Sequence, residues 1–291
     1  MQQMLGRAHS RQLWKSKVKK MEQVINKIQK LAAIMNQDKP QPVAKESSLK
    51  VGVDLGTSSI VLVVLDQDDE PRFGAFEYAD AVRDGLVVNY RESVEVVKRL
   101  KERAQKCLQI PLTHAACAVP PGTVGNNRKV VAHVIESLEM EVTAIVDEPT
   151  AAASVLNIKD GAVIDVGGGT TGISVFKGGE VIYTADEPTG GTHMTLVLAG
   201  YYGISTEEAE LKKRQDQQMR SNFNIMKPTV EKMAEITRRH LEITPSEPLY
   251  LVGGATTGKE FYTIFTEYLN MSVFHPPSPE LVTPYGIAMN A

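Results

Sequence analysis

The chain has 291 residues, 42% of them hydrophobic, with a formal net charge of −3, two cysteines and six scattered histidines. That length allows two lobes with one sizeable core each. It holds no apolar run long enough to span a bilayer, no secretory signal and no zinc-type spacing, and unpaired cysteines suit a reducing cytoplasm.

Charge divides the chain unevenly. Residues 1–50 carry 11 Lys and Arg against 3 Asp and Glu, and the remainder carries 21 against 32. A basic arm therefore precedes an acidic body. In the arm, Trp14, Val18, Met21, Ile25, Ile28, Ala32 and Met35 repeat at 4,3 spacing. This predicts an amphipathic helix over 1–38 with a heptad seam. Three uses of that seam stay open. It could pack on the protein's own surface, or join a partner or a second copy through residues 10–36. Lys15, Lys17, Lys19, Lys20 and Lys27 also permit an anionic surface, although the absence of interleaved aromatics argues against nucleic acid. Residues 39–48, with Pro40 and Pro42, predict an extended tether.

The body starts with strands at 50–55 and 60–65 joined by Leu55-Gly56-Thr57-Ser58-Ser59, with Asp54 at the end of the first strand. A third strand follows at 72–78, then a helix over 92–107 and a buried strand at 115–119. A helix over 126–136 and a strand at 142–146 lead to Glu148. Pro149 fits the first turn of the helix begun by Thr150-Ala151-Ala152-Ala153. From Ala162 the plan repeats: a strand ending in Asp165, the turn Gly167-Gly168-Gly169-Thr170-Thr171, and a second strand. Gly190-Gly191 opens a helix through Leu198, and Ser205 or Thr206 opens another containing Glu210 and Lys213. Pro248–Val252 predicts a strand running into Gly253-Gly254, then a helix to Leu269. A mixed sheet with helices on both faces follows for each half.

The repeated hairpin is the chemical signal. Glycine turns let a ligand approach the backbone, and successive N–H groups form an anion nest. Two such hairpins, each with a strand-end aspartate, predict two lobes gripping a polyphosphate. Asp54 and Asp165 would face Mg²⁺ through water, since magnesium keeps much of its hydration shell. The N–H groups at Gly190, Gly191, Gly253 and Gly254 predict further anion or nucleoside platforms. The plain alternatives are turn-forming roles for Thr57, Ser58, Thr170 and Thr171, a surface pair for Glu210 and Lys213, and a helix-start charge for Glu148.

The hairpins, the Glu148-Pro149-Thr150-Ala-Ala-Ala box, the Val252-Gly253-Gly254-Ala255 turn and the final Val282-Thr-Pro-Tyr-Gly286-Ile-Ala288 helix resemble the actin, Hsp70 and sugar-kinase superfamily. Within it the chain resembles the Hsp70-like EutJ family of ethanolamine utilisation. The resemblance covers about residues 50–291. It implies an α/β, two-lobed actin/Hsp70-like (ribonuclease H-like) fold plus the N-terminal helix. Lobe I would span 49–157 with the returning helix 282–291, and lobe II 158–281. It implies ATP or ADP with Mg²⁺ bound by Gly56, Thr57, Ser58, Gly167, Gly168, Gly169, Thr170, Gly190, Gly191, Gly253 and Gly254. Glu210 and Lys213 would lie near ribose or adenine. Glu148 and Asp165 become the catalytic candidates, Glu148 by orienting the attacking water.

Two departures matter. Only 214–226 separates the Glu210 helix from the next one, and only 66–90 is available for an insertion in lobe I. Trimmed outer subdomains are the expectation, and at most a slow ATPase. The implied function is a chaperone-type factor acting on a partner protein such as ethanolamine ammonia-lyase, or on shell and cargo proteins, in a bacterial microcompartment. The arm would then be an encapsulation tag. The alternative is an actin-like adaptor or assembly protein with weak or no nucleotide binding.

Overall fold

The computed structural model describes residues 21–44, 47–83 and 85–291, without the side chains of 216–220. Residues 21–34 form helix α1. Strands β1 (Leu49–Leu55), β2 (Ser59–Asp66) and β3 (Pro71–Tyr78) follow as an antiparallel meander. A small ribbon, β4 (Val82–Arg83) and β5 (Leu86–Val87), leads to α2 (Tyr90–Leu108). That helix begins two residues before its expected start because Asn89 caps it, its Oδ1 accepting from the Glu92 N–H. Next come β6 (His114–Val119), α3 (Asn126–Glu136), β7 (Glu141–Asp147) and α4 (Glu148–Leu156). The sheet order is β3-β2-β1-β6-β7, with β1, β6 and β7 parallel.

The second half repeats this order. Strands β8 (Gly161–Val166), β9 (Thr171–Lys177) and β10 (Glu180–Glu187) form the meander, and β11 (Leu249–Val252) and β12 (Val273–Phe274) extend it in parallel. The sheet order is β10-β9-β8-β11-β12. Its helices are α5 (Gly191–Tyr202), α6 (Thr206–Arg214), α7 (Asp216–Ile243) and α8 (Lys259–Leu269), and α9 (Val282–Met289) closes the chain. Residues 216–226, expected as a connector, are instead the first part of α7. The Gly254 stretch first makes a 3-10 turn, Gly254–Thr256, and only then a helix.

Each sheet is apolar on both faces, as strands between helix layers must be. The outer faces pack on α2 and α3 in one lobe and on α5, α7 and α8 in the other. A third apolar layer lies between the lobes, where α4 and α9 cross. The crossing is tight enough to need glycine: a Cβ on Gly286 would lie 2.1 Å from the Ala151 carbonyl oxygen. Gly286→Ala should therefore destabilise the protein by about 1–3 kcal/mol, read as a lowered urea midpoint at unchanged slope.

Of the uses left open for the arm, its described part takes the first and packs on the protein's own surface. Ile28 and Leu31 are fully buried in the inter-lobe layer, with Met21, Val24, Ile34 and Met35 packed around them. Ala32 of the expected seam is exposed, because the docked stripe is rotated toward Val24 and Leu31. The receiving surface is Gly74 of β3, where a Cβ would meet the Leu31 and Met35 side chains at 2.6 and 2.5 Å. Lys27 and Lys30 pair with Glu70 at 3.8 and 2.7 Å, so the basic arm meets the acidic turn of its own body. The 39–48 segment is also laid down on the body: the N–H groups of Gln41 and Val43 donate to Cys107 and Leu108 at the end of α2. Trp14, Val18 and Lys15 to Lys20 lie outside the described residues.

Candidate functional site

The two Gly hairpins meet across a cleft. A Cβ on Gly168 would lie 2.2 Å from Ser58 Oγ, so glycine lets the β8–β9 turn touch the β1–β2 turn. The cleft holds a cavity of about 520 Å³, into which both hairpin tips project. Asp54, Glu148 and Asp165 line it, with Gly253 and Gly254 on one wall and Glu210, Lys213 and Arg214 on another.

Each acidic group has a local reason to point inward. Asp54 and Asp165 end the central strands of the two sheets. Asp147, not Glu148, caps α4, its Oδ1 accepting from the Thr150 N–H at 3.1 Å. Glu148 is thereby freed from the capping role and faces the cavity. Asp165 is buried, and its Oδ2 accepts from Thr283 Oγ1 at 2.6 Å. A Cβ on Gly253 would sit 2.3 Å from Asp165 Oδ1, so the Gly253-Gly254 turn packs directly on this carboxylate. Gly253 also has φ 97°, which only glycine adopts at no cost.

The electrostatics are those of crowded carboxylates. Burial pushes Asp54 up to about 7, with the Asp165 charge adding to it. Burial pushes Asp165 up to about 6 against the pull of the Thr283 hydroxyl. Glu148 is driven well above the ordinary range by burial and then by Asp165 and Asp54. Three buried acids, with Asp165 raising the other two, suit a hydrated dication, which would offset their repulsion. Among the described residues, no group of three or more His, Cys, Asp or Glu side chains is placed to ligate a metal directly. A pH dependence follows. Raised carboxyls bind protons more tightly in the folded state, so the ligand-free protein should lose stability as pH rises from about 4 to about 7. Thermal melts across that range check the sign, and Asp54→Asn should flatten the slope.

The expected helix-start platforms divide. At α5, the Gly191 and Thr192 N–H groups donate to the Gly167 and Gly168 carbonyls at 2.9 and 2.8 Å. Gly190 does not line the cavity, and its close approach to Gly167 and Gly168 supports the hairpin from behind. That helix start buttresses the hairpin through these N–H groups, and Gly191 also lines the cavity. Thr171 is likewise structural, its hydroxyl donating to the Thr189 carbonyl at 2.6 Å. His193 is a helix-start residue, its Nδ1 lying 3.2 Å from the Gly190 N–H.

Glu210 and Lys213 are not an ordinary surface pair. Their side chains are 25% and 13% exposed and lie 2.6 Å apart. Burial pushes the Glu210 carboxyl up, but Lys213, Thr195 and Arg214 outweigh it and hold it below the usual range. Lys213 also donates to the Gly191 carbonyl at 3.0 Å and to Thr195 Oγ1 at 2.8 Å. Thr283 lies in the Val282–Ala288 motif, which by itself gives it no contact with Asp165, and no local pattern marks Tyr78 or Arg214.

Relatives decide the family. The ethanolamine utilization protein EutJ of Salmonella typhimurium is 39% identical over 282 residues, covering 97% of this chain and 95% of its own. The chain belongs to the EutJ family. The EutJ crystal structure from Carboxydothermus hydrogenoformans agrees, with a TM-score of 0.88 and 42% identity over 93% of this chain and 99% of that one. The EutJ protein of Escherichia coli strain K12 is 39% identical over 90% of this chain and 92% of its own. A family model described as type IV pilus assembly protein PilM matches residues 153–273, from α4 to β12. A DnaK of Cyanophora paradoxa is 28% identical over 54% of this chain and 28% of its own length. MreB5 of Spiroplasma citri, solved with AMPPNP, shares the fold at a TM-score of 0.68 and 14% identity, over 84% of this chain and 96% of that one. The EutJ family thus sits in the actin/Hsp70-like superfamily, some of whose members bind nucleotide. Among the described residues, no helix is long and apolar enough to cross a membrane.

Proposed function

We propose that this EutJ-family chain is a nucleotide-dependent, Hsp70-like factor of ethanolamine utilisation that acts on a partner protein. Ethanolamine ammonia-lyase, or shell and cargo proteins of a microcompartment, are the partners in view. The observation that carries the reading is the placement of Asp54, Glu148 and Asp165 between two Gly hairpins in one cavity. Gly56, Thr57 and Ser58 from one side, and Gly167 to Thr170 from the other, take the phosphates of ATP or ADP. Gly253, Gly254, Glu210 and Lys213 flank the nucleoside. Asp54 and Asp165 hold Mg²⁺ through water, and the ion supplies charge neutralisation at the phosphates. Glu148 orients the water that attacks the terminal phosphate. Lobe I is 49–157 with the returning helix 282–291, and lobe II is 158–281. Opening and closing about the α4–α9 crossing then carries the nucleotide state to the partner.

Calorimetry with and without magnesium tests the reading. Wild type should bind ATP in a magnesium-dependent way, and Asp165→Ala should lose that dependence. Absence of any thermal shift at millimolar Mg-ATP would overturn it and leave an adaptor or assembly role.

A further inference from the structure

The docked arm reaches the cleft itself. Ala32 of α1 and Met35 just after it line the same cavity as Lys213. Where α1 ends, the Asn36 N–H donates to the Gly74 carbonyl at 2.9 Å, and Asn36 Oδ1 accepts from the Phe76 N–H at 3.0 Å. The same oxygen accepts from Arg103 Nη2 of α2 at 3.0 Å, so Asn36 ties arm, strand and helix together. Phe76 meets Tyr78 edge-on, with ring centroids 5.2 Å apart. Tyr78 then crosses the cleft: the Arg214 guanidinium carbon lies 3.8 Å from its ring centroid. Arg214 is fixed from its own side by Glu210, with Nε donating to Oε1 at 2.6 Å. An unbroken series of contacts therefore runs from the arm, through the edge strand of lobe I, to the Glu210–Lys213 wall of lobe II.

Tyr78 is 61% exposed, so burial is not what holds it there. Its ring is held on one side by Phe76 and covered on the other by a cation. An exposed cation–π contact shifts an equilibrium by about 2–5-fold, enough to bias the opening of two lobes that meet at the hairpin tips and pivot on the apolar layer around α4 and α9. With short connections where outer subdomains would roof the cleft, this contact and the arm supply the cover.

We infer that Tyr78 is a positioning residue of the cleft: the docked arm holds it, it clasps Arg214, and the clasp sets the closed spacing of the lobes and slows release of the bound molecule. What is released follows the nucleotide reading above; the clasp does not depend on it. Nucleotide occupancy and arm docking are then linked, because each is favoured by the closed cleft.

The test uses the full chain with spin labels on introduced cysteines, Arg91→Cys on α2 and Glu267→Cys on α8, the native Cys107 and Cys117 being buried. Inter-lobe distances are measured without nucleotide. Tyr78→Ala should lengthen or broaden the distribution, and Tyr78→Phe, which keeps the ring, should restore it. Asn36→Ala, which loosens the arm without touching the cleft, should shift it the same way to a lesser extent. Circular dichroism confirms that each variant is folded. Identical distributions for wild type and Tyr78→Ala would overturn the clasp. In stopped flow, MANT-ADP should leave Tyr78→Ala about 2–5-fold faster than wild type. Equal release rates would overturn the role in release. Failure of wild type to bind MANT-ADP would strike the nucleotide reading, and the distance measurement would still judge the clasp.

Discussion

Glu148→Gln should slow single-turnover ATP hydrolysis by about 10²–10⁴-fold while leaving nucleotide affinity close to wild type, the effect expected for a positioned acid/base group. The structure motivates the split. Glu148 begins α4, yet Asp147 performs the capping, so the Gln variant should not fray the helix. The Gly hairpins that would carry the phosphates come from other strands. The wild-type rate itself should be slow, since only short connections stand where outer subdomains would roof the cleft. Equal rates for wild type and Glu148→Gln would make Glu148 a structural residue. A wild-type rate no faster than buffer would remove the ATPase activity and leave binding alone.

Leu31→Ala should cost about 2–5 kcal/mol of stability, the range for truncating a fully buried leucine. An arm that only joined a partner, another use left open from sequence, could be altered without loss. The packing reverses that. Leu31 and Ile28 lie in the apolar layer shared with α4 and α9, so the arm contributes to the core. Urea unfolding followed by far-ultraviolet circular dichroism provides the measurement. Gln29→Ala, on the exposed face of the same helix, serves as the control and should change stability by less than about 0.5 kcal/mol. A Leu31→Ala midpoint equal to wild type would show that the docked arm contributes nothing. Removal of residues 1–45 should likewise lower the midpoint of the remaining body.

The two results weigh different parts of the sequence. Both hairpins were legible because their information is local. A run such as Val51 to Asp54 followed by Gly56 and Thr57, or Ala162 to Asp165 followed by three glycines, specifies a buried strand, a polar end and a tight turn within a dozen residues. The duplication then specifies two similar sheets, since each half repeats strand, turn and strand at the same point in its order. The start of α6 at Ser205 or Thr206 was legible for the same reason, and Ser205 with Glu208 makes the capping box there. The packing of the α5 start on the β8–β9 hairpin was not, because no short pattern shows that the Gly191 and Thr192 N–H groups meet the Gly167 and Gly168 carbonyls.

Local pattern alone determined that there are two hairpins, two strand-end aspartates and an amphipathic basic helix. Tertiary structure decided what each one meets. An apolar stripe at 4,3 spacing fits a partner helix and a sheet face equally well, and only the hollow at Gly74 selects the protein's own β3. Thr283 reaches Asp165 from 118 positions away, and Tyr78 finds Arg214 only because the lobes close on each other. Periodicity and turn chemistry act over a few residues. Contacts between elements far apart in the chain depend on how whole lobes pack, and no short stretch of sequence carries that.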